Sequence, residues 1–481
     1  MPPWRVCGVG RCAAVVILSV LISACGSDPA PSQERLLPAR GALVGQPRQV
    51  VLITIDTLRT THLGSYGYDR DTSPFIDRLA REGVLMTRAY SPVPRTTPAH
   101  MSMLTGLPPL AHGAMRNTHA IGADHVPSLA AFFRSVGYAT AAVVSVPFLN
   151  PEVKRLPGFE HIEAPAMGVQ WRSRSTLRRA EAWVRAHADQ PFFLWIHTYD
   201  LHKPYAPPRP YDTMFWDSAP LPYEPPKNGL LTGPPPTARE ADYLRALYDG
   251  EIRYTDDALR GFFERLDGTW IAPPLVVVTS DHGEVLEEHA RDFRHVYFHG
   301  KFPFNQALRV PLIVHWPGHV SPGRRAAAVD ITSLAPTLVD MLFDGGFEAG
   351  TPSFAGLVTD GVTSDGGPHA PSGDAPLFAL APRLYPDEVM LPGWEFRRQE
   401  TWSVLRWPWH LIYNPDRGSV LYDLSTDELE LSDLAAVHPQ RAAELEREVI
   451  EHFRAQTRVA EGVVPVSEEL HEQLRGLGYV E

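Results

Sequence analysis

A doubly wound α/β fold with a mainly parallel sheet, followed by a smaller α+β portion, is what three features of the sequence predict. First, five short runs are almost continuously apolar: 49–56 (QVVLITID), 138–145 (YATAAVVS), 191–197 (PFFLWIH), 274–281 (PLVVVTSD) and 310–318 (VPLIVHWPG). Such runs belong to strands covered on both faces. Second, amphipathic helical stretches alternate with them: 73–83 (SPFIDRLAREG), 126–137, 175–188 and 238–268. Strand and helix in alternation give a parallel sheet with crossover helices. Third, Asp56 and Asp281 each close a strand. In such sheets ligands bind where loops leave the carboxyl ends, so both side chains are expected in one crevice.

Taken in order, the chain opens with Arg5 and Arg11 ahead of AAVVILSVLISAC (13–25). That apolar run has the length of a signal peptide rather than of a spanning helix. Ile22-Ser23-Ala24-Cys25 resembles the lipobox of bacterial lipoproteins, which implies lipidation of Cys25, removal of 1–24 and an exported protein anchored to a membrane. The stretch 25–47, rich in Pro and small polar residues, reads as a tether. The large α/β domain is expected over 48–345, a Gly/Ser/Pro/Asp-rich loop over 346–375 and the C-terminal subdomain over 376–481. That last part holds β-like runs at 401–414 and 419–424 and a helix at 442–456.

The 481 residues are 44% apolar and carry a formal net charge of −12. This balance excludes a protein that grips nucleic acid by general electrostatics, so an anionic ligand must be held by local cations. The three cysteines, Cys7, Cys12 and Cys25, all precede the α/β domain. That domain has no disulfide, thiolate ligand or cysteine nucleophile.

Asp56, Asp281 and His282 together suggest a site for one divalent cation, with the imidazole favouring Mn or Zn over Ca. The ordered series VLITIDTLR, HLGSYGY, TSPFIDRLAREGV, TTPAHMSMLTG, VVVTSDHGE, HGK, LRVPLIV, LYDLSTDELELSDLA and LRGLGYV resembles the sulfatases, a branch of the alkaline phosphatase superfamily. The resemblance implies an alkaline-phosphatase-like fold and an ester hydrolase that depends on one metal ion. In that family a Cys or Ser, converted to formylglycine, is followed by any residue, Pro, a small residue and Arg. Here Thr96, Thr97, Pro98, Ala99 and His100 hold these places, with Leu104, Thr105 and Gly106 fixing the register.

Formylglycine is an aldehyde, and its formation needs a primary Cβ. Threonine carries a methyl group there, so no formylglycine is expected. Thr96 in this place looks like the phosphodiesterases and phosphoethanolamine transferases of the superfamily, in which a metal-bound Thr attacks. The resemblance makes Asp56, Thr96, Asp281 and His282 the metal ligands. It gives Thr96, His202, His299 and Lys301 the catalytic roles, and Lys301, His202 and His100 contacts to substrate.

Two departures stand out. Thr57 replaces a second Asp, and the family's Gly-Lys-x-His after the Gly-Tyr strand is absent at 142–145 (AVVS); Arg59 and Arg95 are the cations at hand to compensate. The expected substrate is a small anionic ester or a glycan or lipid headgroup. The expected reaction is hydrolysis or transfer at phosphate or phosphonate esters, with sulfate ester hydrolysis without formylglycine, and ligand binding without turnover, as alternatives.

Overall fold

Side chains alternate along the central strand between two apolar clusters, so the sheet is buried on both faces. The computed structural model describes residues 49–463 apart from 228, 292, 344–345, 360–374 and 384–394, together with 468, 472, 475 and 476. The leader, Cys25, the tether, most of the 346–375 loop and most of LRGLGYV lie outside the described residues. Among the described residues no helix is long and apolar enough to cross a membrane.

The main sheet contains β1 (Gln49–Ile55), β2 (Val84–Tyr90), β3 (Ala139–Val144), β4 (His161–Glu163), β5 (Phe192–Thr198), β6 (Leu275–Thr279), β7 (Arg309–His315) and β8 (Gly323–Asp330). Their spatial order is β4-β3-β5-β1-β6-β7-β2-β8. All neighbours are parallel except those of β7, which runs against both β6 and β2. Val50 and Leu52 of β1 join the cluster beneath α2 (Thr96–Thr105), α3 (Leu129–Ser135) and α6 (Leu334–Leu342). Val51, Ile53 and Ile55 join the opposite cluster, under α1 (Pro74–Glu82), α4 (Ser173–Ala186) and α5 (Ala238–Arg265).

The five apolar runs correspond to β1, β3, β5, β6 and β7. The other three strands, β2, β4 and β8, lack such a run for physical reasons: β8 is an edge strand whose GRRAAAVD has an exposed arginine and only small apolar side chains, β4 is a half-buried edge strand of three residues, and β2 interrupts its apolar residues with Thr87 and Arg88.

The C-terminal part supplies a four-stranded antiparallel sheet, β9 (Leu377–Ala381), β10 (Thr401–Arg406), β11 (Trp409–Asn414) and β12 (Gly418–Asp423), backed by α7 (Pro439–Ala455). Leu380, Val404, Leu411 and Leu421 pack with Leu445 and Val449 of α7 and with Val93 and Ala99 beside Thr96. The other face, with Ala379, Leu405 and Ile412, meets Phe302 and Phe304. The second sheet therefore braces both the segment that carries Thr96 and the segment that carries His299 and Lys301.

Because β7 is antiparallel to β6, the chain leaves β6 and enters β7 at the same edge of the sheet. The connection between them therefore starts and ends at the carboxyl end of β6.

Candidate active site

Parallel pairing of β1 with β6 sets Thr54 opposite Thr279, so Asp56 and Asp281, each two residues further on, emerge side by side. One ligand atom each from Asp56, Asp281 and His282 lies within 4.8 Å of the others, and all three side chains are fully buried. Asp281 Oδ1 accepts from the His282 N–H (2.9 Å) and weakly from the Thr57 N–H (3.4 Å). Among the described residues, Asp281 Oδ2 and both Asp56 oxygens have no hydrogen-bond partner. Burial, reinforced by the neighbouring Asp281 carboxylate, pushes the Asp56 pKa well up, with the Thr96 hydroxyl opposing the shift.

The tautomer of His282 follows from its neighbour. Nδ1 lies 2.9 Å from the Gly283 carbonyl, which can only accept, so Nδ1 carries the hydrogen. The Nε2 lone pair then faces Asp281 Oδ2 and Thr96 Oγ1, each at 3.3 Å. Carboxylate oxygens and an imidazole lone pair gathered in a buried cluster suit a cation, and an imidazole fixed through its other nitrogen is the usual form of a metal ligand. Asp56, Asp281 and His282 thus form a group able to hold a divalent ion, with the Thr96 hydroxyl beside it.

Backbone constraints hold these groups in place. Thr57 adopts φ 56°, a left-handed conformation that is costly for a β-branched residue, and the Tyr248 hydroxyl donates to its carbonyl at 2.6 Å. Ser280 Oγ accepts from the Leu58 N–H at 3.1 Å and ties the loop after β1 to the end of β6. A Cβ on Gly283 would sit 2.1 Å from the Gln306 carbonyl oxygen, so this position takes no side chain.

Thr96 is the first residue of α2, and all ten residues of that helix are buried. A helix N-terminus attracts anions through its unpaired N–H groups and dipole. The Thr97 N–H donates to Asn117 Oδ1 at 3.0 Å, while Asn117 Nδ2 is buried without a partner. Lys154, also buried, donates from Nζ to the carbonyls of Asn117 (2.6 Å) and His119 (2.9 Å), which fixes that stretch of chain. Desolvation lowers the Lys154 pKa to about 7.

On the opposite side the ring of His299 lies 4.2 Å from that of His282 and 5.1 Å from that of His202. His299 Nδ1 is 3.3 Å from Glu284 Oε1, and Glu284 also accepts from the Tyr205 hydroxyl at 3.3 Å. Burial pushes Glu284 up to about 8 and His202 down to about 3. His202 Nδ1 donates to the Lys203 carbonyl, and its ring stacks on Tyr199. Lys203 and Lys301, both buried, lie 4.6 and 5.6 Å from the centroid of Phe298. Gly300, at φ 77°, separates His299 from Lys301, and a Cβ there would sit 3.1 Å from Arg95 Nε.

The structure thus brings Asp56, Thr96, Asp281, His282, His299 and His202 together, with Lys301 on the same loop as His299. Two readings need correction. His100 was expected to touch substrate, yet its ring is fully buried with one nitrogen on the Thr96 carbonyl and the other on Thr54. Arg59 was a candidate compensating cation, but it is bound to Glu288 at 2.6 Å. Sequence reasoning did not assign Glu284, Asn117 or Lys203. Glu284 stands two residues after His282, a signal that was available, whereas Asn117 reaches Thr97 only through tertiary folding.

A buried metal-type cluster around a hydroxyl, at the carboxyl ends of a doubly wound sheet and flanked by lysines and histidines, defines a hydrolase of anionic esters. The family model described as Sulfatase matches residues 48–344, and the chain belongs to the sulfatase family. It is accordingly an enzyme acting on sulfuric or phosphoric esters, in a metal-dependent family. It is 23% identical to an N-acetylgalactosamine-6-O-sulfatase of Bacteroides thetaiotaomicron, over 83% of this chain and 92% of that one. It is 25% identical to the multifunctional alkaline phosphatase superfamily protein PehA of Trinickia caryophylli, over 56% and 68%. The crystal structure of a phosphonate monoester hydrolase of Agrobacterium radiobacter superposes with a TM-score of 0.64 at 21% identity, covering 86% of this chain and 96% of that one.

Calorimetric titration with Mn²⁺ should show affinity reduced on the order of a hundredfold or more in D281N, since even outer partners of metal ligands contribute 10- to 100-fold; unchanged affinity would remove Asp281 from the site. For Lys154, the folded pKa of about 7 lies below the ordinary 10.5, so between these values the unfolded chain binds the extra proton. Stability contributed by this group therefore rises as pH rises through that window. The melting temperature of the wild type relative to K154M should increase from pH 7 to pH 10, and a flat difference would contradict the assignment.

Proposed function

We propose that the protein is a metal-dependent hydrolase of phosphate or phosphonate esters in which Thr96 attacks as an unmodified hydroxyl. The observation that carries this reading is the place of Thr96 Oγ1, 3.3 Å from His282 Nε2 and beside Asp56, in a domain without cysteine. A divalent cation bound there lowers the pKa of the hydroxyl and neutralises ester oxygens.

The chain's own groups account for the rest. Thr96 Oγ1 loses its proton to solvent and bonds to phosphorus as the bond from phosphorus to the leaving oxygen breaks. The His299–Glu284 pair, 3.3 Å apart and with the carboxyl raised to about 8, supplies that oxygen with a proton through His299, whereas His202, expected from the sequence as an alternative donor, is held neutral with Nδ1 given to the Lys203 carbonyl. The N-terminus of α2, the Asn117 amide, Lys301 and Arg95 hold the non-bridging oxygens. Water then attacks the phosphothreonine, the bond to Oγ1 breaks and the hydroxyl regains its proton. Sulfate ester hydrolysis by the same hydroxyl is the second reading, favoured by the sulfatase names of several relatives.

We also propose that the mature protein is an exported lipoprotein, anchored through Cys25 by a tether that presents the enzyme to small anionic esters or to glycan or lipid headgroups. In a bacterial host C25S should move the protein from the membrane to the soluble fraction; retention in the membrane would refute the anchor.

Aryl phosphate, phosphodiester, phosphonate and sulfate esters, assayed with Mn, Zn and Ca, separate the two readings. Faster turnover of the phosphorus esters supports the first, and preference for the sulfate overturns it. T96A should lose turnover on the order of a thousandfold or more while melting like the wild type, and wild-type turnover in T96A would refute the nucleophile. Intact-mass measurement during turnover of a slow substrate should find one phosphoryl group on the wild type and none on T96A.

A further inference from the structure

We infer that His100 is a positioning residue for the nucleophile, locked in one tautomer by Thr54 and Trp195 so that its ring clamps the backbone of Thr96. The assignment rests on Thr96 being the attacking group.

The hydrogen-bond directions follow from donor chemistry. The Trp195 indole can only donate, and Nε1 lies 3.0 Å from Thr54 Oγ1. Thr54 Oγ1, having accepted, has its own hydrogen to give. His100 Nε2 lies 3.0 Å away, nearer than the other acceptor within reach, the Ile196 carbonyl at 3.5 Å. At its other end the ring meets the Thr96 carbonyl, which only accepts, at 2.8 Å from Nδ1. An imidazole that accepts at Nε2 and donates at Nδ1 satisfies every partner in the chain, and it is neutral. Burial favours that neutral form, and the neighbouring ring of His197, 5.1 Å away and edge-on, is also held neutral by burial.

Thr96 needs such a clamp because of where it sits. It opens α2, and the residue before it, Arg95, provides no side-chain cap for the helix. Ends of helices fray by a residue or more unless tied down. The ring of His100 reaches back one turn to the carbonyl of the residue whose side chain must stay at the ligand cluster. Its Nδ1 is also 3.6 Å from Asp281 Oδ2, so the ring neighbours both the Thr96 main chain and that carboxylate. The hydroxyl of Thr96 is left to His282 and Asp56, while the imidazole acts on the main chain.

The test compares H100A, H100Q, T54V and the T54V/H100A pair, with T96A alongside. The readouts are kcat and KM on the aryl ester that the wild type turns over fastest, Mn²⁺ affinity by calorimetry, and melting temperature. Glutamine can donate to the Thr96 carbonyl and accept from Thr54, so H100Q should stay within about tenfold of the wild-type kcat. H100A should lose on the order of a hundredfold in kcat, the scale of a nucleophile displaced by about an ångström. Its KM should stay within about twofold, and its Mn²⁺ affinity should be unchanged.

T54V should lower kcat, and the pair should be no slower than H100A alone, because both changes break one chain. The clamp is refuted if H100A keeps the wild-type kcat. It is refuted equally if H100Q falls as far as H100A, if the loss in kcat follows a loss of Mn²⁺ affinity, or if the T54V and H100A effects multiply. An active T96A would instead refute the nucleophile, whereas an inactive T96A with a fully active H100A would refute the clamp alone.

Discussion

Two buried carboxylates, Asp56 and Asp281, are set side by side at the ends of neighbouring strands, and the rest of the structure follows from that constraint. Like charges a few ångströms apart in a region closed to water repel far more strongly than at a surface. The fold nevertheless forces them together, because each follows one of two strands paired in parallel and in register. Burial pushes Asp56 toward its protonated form, and Asp281 spends one oxygen on backbone N–H groups while the other faces the cluster. The strained backbone of Thr57, the Ser280 tether and the bare Cα of Gly283 all hold the carboxylates at this separation.

In a chain with net charge −12, the cations near this point are local: Arg95, Lys203 and Lys301 are buried, and Thr96 opens α2. The lysine and arginine that the family motif lacks here are not replaced one for one. Neutral His100 occupies the arginine's place and bonds to the main chain, and Arg59 is committed to Glu288. The positive charge is therefore on the side of His299 and Lys301 rather than beneath Thr96.

The sheet was legible in the sequence wherever a strand is buried on both faces, as in 49–56 or 274–281. It was illegible at β8, where an edge strand leaves arginine exposed. The cluster of Asp56, Asp281 and His282 was legible because strand ends are visible in sequence and side chains at strand ends converge in this class of sheet. Thr96 was legible through the register of Pro98 and Gly106. The partners of these residues were not. Asn117, Thr54 and Trp195 reach the nucleophile helix across contacts that no local pattern encodes, and the expectation for His100 failed because the fate of a buried ring depends on what packs against it.

The reversed direction of β7 gives the site its economy of sequence. A parallel strand would have sent the chain to the far edge and back, dividing 280–308 between the two ends of the sheet. Instead Asp281, His282, Glu284, His299 and Lys301 lie on one stretch of chain between β6 and β7, folded back on itself through the Val285–Phe298 bridge and tied to the scaffold by Glu288 on Arg59. The acid and its lysine are therefore carried on the same buried stretch as Asp281 and His282, and a change of length there would disturb all five at once.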